Sequence, residues 1–383
     1  MPENLRSLFL LDPSVTFLNH GSFGACAKPV FEQYQRWQLE LERQPVEFLG
    51  RRYYELMAEA RAELGKYLNA PADDLIFADN ATAGVNIVVR SIELNPGDEV
   101  LTTDHEYGAC DLTWQYLQER KGVVIKRANV ALPVTTPEDF VESFWANVTD
   151  KTRVIYLSHI TSFSALIFPI EEICRRAREA GIFTLIDGAH APGQIELDMQ
   201  AIGADAYAGN LHKWLCAPKG SGFLYVRPEH QEQMMSVIVS WGWGEGRPEF
   251  GTSQFLRRNT WQGTRDPAAY LTVPAAIKFQ EEHDWPAVRE RCHELVSLAR
   301  RRIANLTDLS PIAPQSTDWF VQMATCPVRT ASIEQLKTNL YDQCRIEIPC
   351  MEWQGRQFVR VSIQGYNTAE DVDRLMEGLG RYL

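Results

Sequence analysis

The sequence predicts an α/β fold: a large domain with a mostly parallel sheet covered by helices, followed by a smaller α+β domain. Two observations predict it. Between residues 74 and 227, apolar runs of strand length alternate with amphipathic stretches of helix length, the order expected when parallel strands are joined by helical crossovers. Those runs are rich in valine, isoleucine and aromatic residues and alternate little between apolar and polar, so they read as strands buried on both faces.

The elements follow in order. Residues 29–44 and 55–69 carry helical patterns ahead of the sheet. Six strands are expected at 74–78, 98–103, 153–159, 183–189, 205–210 and 222–227, with helices at 109–122 and 170–181 between them; Gly181 closes the second. A glycine-rich loop at 240–251 marks a change in composition. A long helix at 286–306, short strands at 319–325 and 358–363, and a final helix from residue 369 then make up the smaller part. This divides the chain into an N-terminal segment (1–15), a large domain (16–274) and a small domain (275–383) that borrows some N-terminal helix.

Charge and cysteine usage exclude several classes. Lysine and arginine total 38 against 50 acidic residues, a net charge of −12, with no dense basic run. Nucleic acid and anionic membrane are therefore not the expected partners. Cysteines 26, 110, 174, 216, 292, 326, 344 and 350 are scattered with no CxxC pair, which suits reduced thiols rather than zinc or a disulfide framework. The N-terminal apolar run is too short for a signal peptide, and no stretch is long enough to cross a bilayer. A cytoplasmic enzyme without a metal is expected.

Three stretches carry the chemistry. "AYAGNLHKWLCAPKGSGFLYV" (206–226) places Lys213 and His212 among small and aromatic residues, where lysine is least at home. "TLIDGAHAPGQI" (184–195) ends a strand on Asp187, at the carboxyl edge where open α/β sheets bind ligands, with His190 three residues on. "FADNATAGVNIVVRSI" (77–92) runs from strand to helix through a turn with Thr82 near the helix N-terminus, a geometry suited to phosphate. It is neither GxxxxGK[ST] nor GxGxxG, so nucleotides are poorly supported. A phosphate near Thr82, a cationic ring nitrogen near Asp187 and an electrophile near Lys213 together describe pyridoxal 5′-phosphate, whose aldehyde condenses with a lysine.

With these stretches in place, the chain resembles the class V branch of the fold-type I pyridoxal phosphate enzymes, and within it the isopenicillin N epimerase-like group. The matching segments are "FLNHGSFGA" (17–25), "NATAGVN" (80–86), "DHEYGA" (104–109), "IDGAHAPG" (186–193), "GNLHKWLCAPKGSGFLYV" (209–226), "WQGTRDPAA" (261–269) and "VRVSIQGYNT" (359–368). The resemblance implies the aspartate-aminotransferase fold with a seven-stranded large sheet. It implies that Lys213 anchors the cofactor and takes the α-proton, and that Asp187 pairs with the ring nitrogen. His190 would lie by the ring's phenolic oxygen, where cysteine desulfurases carry glutamine. Ala81, Thr82 and His212 would hold the phosphate. Tyr107 would stack on the ring, with His105 as the alternative. Thr264 would complete the phosphate site of a partner subunit in a homodimer, and Arg360 would clamp the carboxylate of an amino-acid substrate. Asn19, His20 and Ser162 would line the pocket.

One departure bears on the reaction. Desulfurases of this branch carry a reactive cysteine in a glycine- and histidine-rich loop, whereas here the stretch reads "IEIPCMEWQGRQFVRVS". Cys350 is expected to be a buried thiol. The expected activity is epimerisation at an α-carbon, with cysteine desulfurase or C–S lyase chemistry, or transamination, as alternatives. The segments 240–251 and 43–54 are expected to shape the substrate pocket. Arg51 and Arg52 are read as solvated charges rather than ligands of a distal carboxylate.

Overall fold

A computed structural model describes residues 4–244 and 251–383; of the glycine-rich loop, 245–250 lie outside the described residues. Seven strands form the large sheet: β1 (Leu75–Ala78), β2 (Glu99–Thr103), β3 (Val124–Ala128), β4 (Thr152–Ser158), β5 (Phe183–Gly188), β6 (Ala206–Asn210) and β7 (Gly222–Val226). Their spatial order is β1-β7-β6-β5-β4-β2-β3. Six strands run one way and β7 runs against its neighbours β1 and β6. Every residue of β1, β6 and β7 is buried, as expected of strands covered by helices on both faces.

β3 was not among the six expected strands. It is an edge strand bonded to β2 alone, and Val124 and Arg127 are exposed. An edge strand keeps its charges in water, so it lacks the continuous apolar run that betrays the other six.

Three further strands, β8 (Met323–Val328), β9 (Cys350–Trp353) and β10 (Arg356–Ser362), form an antiparallel sheet in the order β9-β10-β8. The helices Trp285–Thr307 and Ile333–Cys344 pack on it, and the helix Ala369–Tyr382, which starts from a capping box between Thr368 and Asp371, packs on those two helices. β8 begins later than the expected 319–325, because Trp319 closes a turn through its N–H to the Ser316 carbonyl at 3.2 Å before the strand starts at Met323. The N-terminal contribution to this region includes a strand pairing, Thr16–Phe17 running parallel to Ile346–Glu347. One apolar core runs from Leu157 and Trp214 in the large sheet region to Val288 and Val361 here, and a second, with Val85, Trp114 and Leu185, lies against the large sheet. No helix among the described residues is long and apolar enough to cross a membrane.

This topology brings the carboxyl ends of β1, β4, β5 and β6 to one edge of the sheet, the edge where such folds bind ligands. The residues that follow those ends are 80–82, 159–162, 189–190 and 211–213.

Candidate active site

Lys213 sits in the loop between β6 and the antiparallel β7, held by backbone bonds from Leu211 and His212 to the Ser221 carbonyl. Its neighbours Trp214, Leu215 and Cys216 are completely buried, and Lys213 itself is only 9% exposed. Two glycines allow the chain to close over it. Gly24 has φ +70°, and a Cβ there would lie 2.1 Å from the His212 carbonyl oxygen. Gly193 has φ +85°, and its Cβ would meet the Trp214 carbonyl at 2.3 Å. Only glycine tolerates both that conformation and that approach. Burial, reinforced by the Arg360 charge, pushes the Lys213 amine down to about 8. Its Nζ lies 3.0 Å from Nε2 of His190, and the Trp214 indole donates to Nδ1 of the same ring at 3.3 Å.

Asp187 ends β5. Its carboxylate accepts from the Ala189 N–H at 2.9 Å, the Tyr156 hydroxyl at 3.2 Å and the Cys110 thiol at 3.7 Å. Burial raises its pKa above the ordinary carboxylate range, while the Ala189 N–H and the Lys213 charge pull the other way. A buried carboxyl in that balance is stabilised as an anion by a cation placed beside it. Behind it, Glu106 accepts from Ser158 N and Oγ at 2.9 and 2.6 Å and from Thr103 Oγ1 at 2.7 Å. Burial pushes Glu106 up to about 8.

The helix Ala81–Ser91 points its N-terminus at the same space. Its cap is Asn80, whose side chain accepts from the Ala83 N–H at 2.9 Å, and not Thr82. The Ala81 N–H donates to Asn210 Oδ1 at 2.7 Å. Ala81 therefore borders the cavity with its amide already engaged, while the Thr82 N–H has no partner among the described residues. His212 donates through Nδ1 to the Ser221 carbonyl, 3.1 Å away, which leaves Nε2 as the acceptor in the neutral ring. Burial lowers His212 to about 4, so holding an anion through Nε2 requires uptake of a proton.

Arg360, on β10, is 5% exposed, and its Nε is buried without a hydrogen-bond partner. Its guanidinium donates to the Ser162 carbonyl and to Ser22 Oγ at 3.1 Å. No carboxylate pairs with it among the described residues, and burial pushes it down to about 10. A buried guanidinium with hydroxyl and carbonyl partners but no acid is prepared for an incoming carboxylate.

Lys213, Asp187, His190, His212, Ala81, Thr82, Tyr107 and Ser162 all line one cavity of about 210 Å³, together with Ser22, Phe23, Asn80, Ser158, Ile160, Ala189 and Asn210. A larger cavity of about 860 Å³ opens elsewhere, beside Tyr67 and Trp285, but contains neither Lys213 nor Asp187. Tyr107 reaches the site with 45% of its surface exposed, whereas His105 is buried against Trp353 at 4.8 Å with Nδ1 on Ser164 at 2.8 Å. Of the two candidates for the ring-facing position, only Tyr107 borders the cavity.

Three expected site residues are placed otherwise. His20 is fully buried behind Lys213, with Nδ1 on the Tyr366 hydroxyl and Nε2 on the Lys213 carbonyl, both at 3.0 Å; it braces the loop and does not line the pocket. Asn19 accepts from Ser22 Oγ at 2.6 Å and donates to Glu347 at 2.9 Å, so it supports the serine that Arg360 contacts. Thr264 is exposed and outside the cavity. Arg51 is exposed and Arg52 pairs with Glu40 at 2.6 Å; neither borders the cavity. Asn210, Ser22, Tyr156 and Trp214 were not singled out from sequence. The one legible signal was Asn210, a polar residue ending an apolar strand at the ligand-binding edge.

The residues fit pyridoxal phosphate. A helix N-terminus with an unengaged amide suits its phosphate, and a buried carboxyl suits a pyridinium. A buried amine suits its aldehyde, and Tyr107 and Ala189 line the same cavity. Fold and site define a pyridoxal phosphate-dependent enzyme of the α/β class. The family model for class-V aminotransferases matches residues 27–375, and the chain belongs to that family. It is 35% identical to the isopenicillin N epimerase of Amycolatopsis lactamdurans over 98% of this chain and 97% of that one. The isopenicillin N epimerase of Streptomyces clavuligerus is also 35% identical, with the same coverage. A probable chloroplastic L-cysteine desulfhydrase of Arabidopsis thaliana is 27% identical over 96% of this chain and 83% of that one. Two solved structures share the fold. One is the apo cysteine desulfurase of Thermococcus onnurineus NA1 (TM-score 0.84, 19% identity, 100% and 98% of the two chains). The other is a C-DES variant with glycine covalently linked to its pyridoxal phosphate (TM-score 0.86, 21% identity, all of both chains).

Proposed function

We propose that this protein binds pyridoxal phosphate on Lys213 and acts at the α-carbon of an amino acid, with epimerisation as the outcome. The observation that carries the reading is a buried Lys213 of lowered pKa in the cavity and, bonded to Ser22 and Ser162 of the same lining, a buried Arg360 with no carboxylate partner among the described residues. The bound cofactor would supply an electron sink for negative charge developing at the substrate's α-carbon. Arg360, supported by Ser22 and Ser162, orients the substrate by its carboxylate. Lys213 Nζ takes the α-proton, and its lowered pKa lets it accept and return that proton near neutral pH. Asp187 keeps the cofactor's ring nitrogen charged.

Epimerisation is put first because the 35% identical relatives bear that name and match nearly the full chain. A second reading, sulfide-releasing cleavage of cysteine, is supported by the desulfhydrase relatives. Desulfurase chemistry through a cysteine nucleophile is disfavoured by Cys350. Its thiol is 8% exposed, and burial pushes it up to about 12. The hairpin that carries it closes in two residues, Gln354 and Gly355 at φ 48° and 72°, a tight turn with no mobile loop.

The test is an amino-acid panel incubated with holoenzyme in D₂O, read for α-deuterium, inversion, keto acid and sulfide in one batch. Deuterium with inversion and no keto acid supports epimerisation. Sulfide with keto acid from cysteine moves the assignment to the second reading. Absence of α-exchange with every substrate overturns both.

A further inference from the structure

His190 stands between two groups of unequal hydrogen-bonding capacity. The Trp214 indole has one N–H and no lone pair to offer, so it can only donate. At 3.3 Å from Nδ1, it requires that nitrogen to present its lone pair. A neutral imidazole then carries its single proton on Nε2, the nitrogen 3.0 Å from Lys213 Nζ. Burial holds the ring neutral, and the Arg360 guanidinium adds to the effect. With Nε2–H pointing at it, Lys213 accepts in its unprotonated form, which a pKa pushed down to about 8 brings within reach near neutral pH and which is the form that attacks a carbonyl carbon.

We propose that Trp214 is a positioning residue whose indole N–H fixes His190 in the Nε2-protonated tautomer, so that Nε2 remains a donor toward Lys213 and toward the ring oxygen of the bound cofactor. The proposal rests on the assignment of the cavity to pyridoxal phosphate. Without the indole N–H the two tautomers of a buried neutral imidazole compete, and the one with Nε2 bare would instead accept from a protonated lysine. The rest of what Trp214 does is independent of its N–H: its ring packs on His20 at 4.9 Å, and its carbonyl accepts from Gln280 at 2.9 Å. Trp214→Phe keeps both and removes only the donor.

Two measurements on holoenzyme test it. The first needs no variant at Trp214: ¹⁵N spectra of ring-labelled histidine, with the His190 signals assigned by their loss in His190→Gln. A bare Nδ1 and a protonated Nε2 are expected; a protonated Nδ1 overturns the proposal. The second is the pH titration of the bound cofactor's visible band, to which Lys213, His212, Arg360, His20 and Asp187 also contribute and which they share in every variant. Trp214→Phe should move its midpoint by about half a unit or more, the worth of one neutral hydrogen bond. In the His190→Gln background the same change should leave the midpoint in place, because an amide nitrogen donates without any tautomer to choose. An equal shift in both backgrounds, or none in either, overturns the proposal. A Trp214→Phe chain that does not fold leaves the wild-type spectra to decide. Protein that stays colourless with added pyridoxal phosphate refutes the cofactor assignment instead, so the two failures are distinguishable.

Discussion

The Tyr156 hydroxyl donates to Asp187 Oδ2 at 3.2 Å, from the strand that lies parallel beside β5 with Ser158 in register with Asp187. The carboxylate is thereby aimed from within the sheet toward the cavity, with the Cys110 thiol on the same oxygen. A group oriented this way acts through its charge on whatever sits beyond the sheet edge.

Asp187→Ala should therefore fold but lose activity by about 100-fold or more, the usual cost of removing one preorganised electrostatic partner. Circular dichroism establishes the fold, and kcat on the substrate found by the panel gives the loss. Near-wild-type turnover would separate Asp187 from the chemistry.

Lys213 is a function-for-stability trade with a definite pH signature. Its folded pKa of about 8 lies below the ordinary 10.5. At pH 7 both states are protonated and the full burial penalty is felt. Between about 8 and 10.5 the folded protein loses its proton first, so the penalty fades as pH rises. Cofactor-free Lys213→Met should thus be more stable than cofactor-free wild type at pH 7, on the order of 2 kcal/mol, with the gap closing toward pH 10. Paired denaturation curves at the two pH values check this; a gap that widens with pH has the wrong sign.

Cys350→Ser should leave α-proton exchange within about twofold of wild type, because the thiol is buried and its one polar contact among the described residues is the Ile348 carbonyl at 3.9 Å. Rapid sulfide release that disappears in the variant would restore the nucleophile reading.

We propose that Thr264 serves a second copy of the chain, since it is exposed and borders no part of its own cavity, while its neighbour Arg265 is tied to Asp79 at 3.0 Å. Mixing inactive Lys213→Ala with inactive Thr264→Ala should restore part of the activity through one intact site per heterodimer. An active species sedimenting as a monomer excludes shared sites.

Six of the seven large-sheet strands were legible because strands covered on both faces must be apolar throughout, and β3 was not because an edge strand need not be. Lys213, Asp187 and Thr82 were legible because each follows or ends such a run at the carboxyl edge. The family resemblance made His20 a pocket residue, yet its two nitrogens go to Tyr366 and to the Lys213 carbonyl, 346 and 193 residues away. Trp214 was hidden for the same reason: a buried indole reads as core, and its donor role depends on a loop 24 residues upstream folding back onto it. Local pattern reports burial and strand ends; it does not report which polar atoms meet across the fold.

The central claim is that Lys213 carries the cofactor. Borohydride reduction of the protein purified with pyridoxal phosphate, followed by peptide mapping, tests it directly. The visible band should bleach and the pyridoxyl group should be found on the peptide containing Lys213. A pyridoxyl group on another lysine, or a protein that takes up no cofactor, would contradict it.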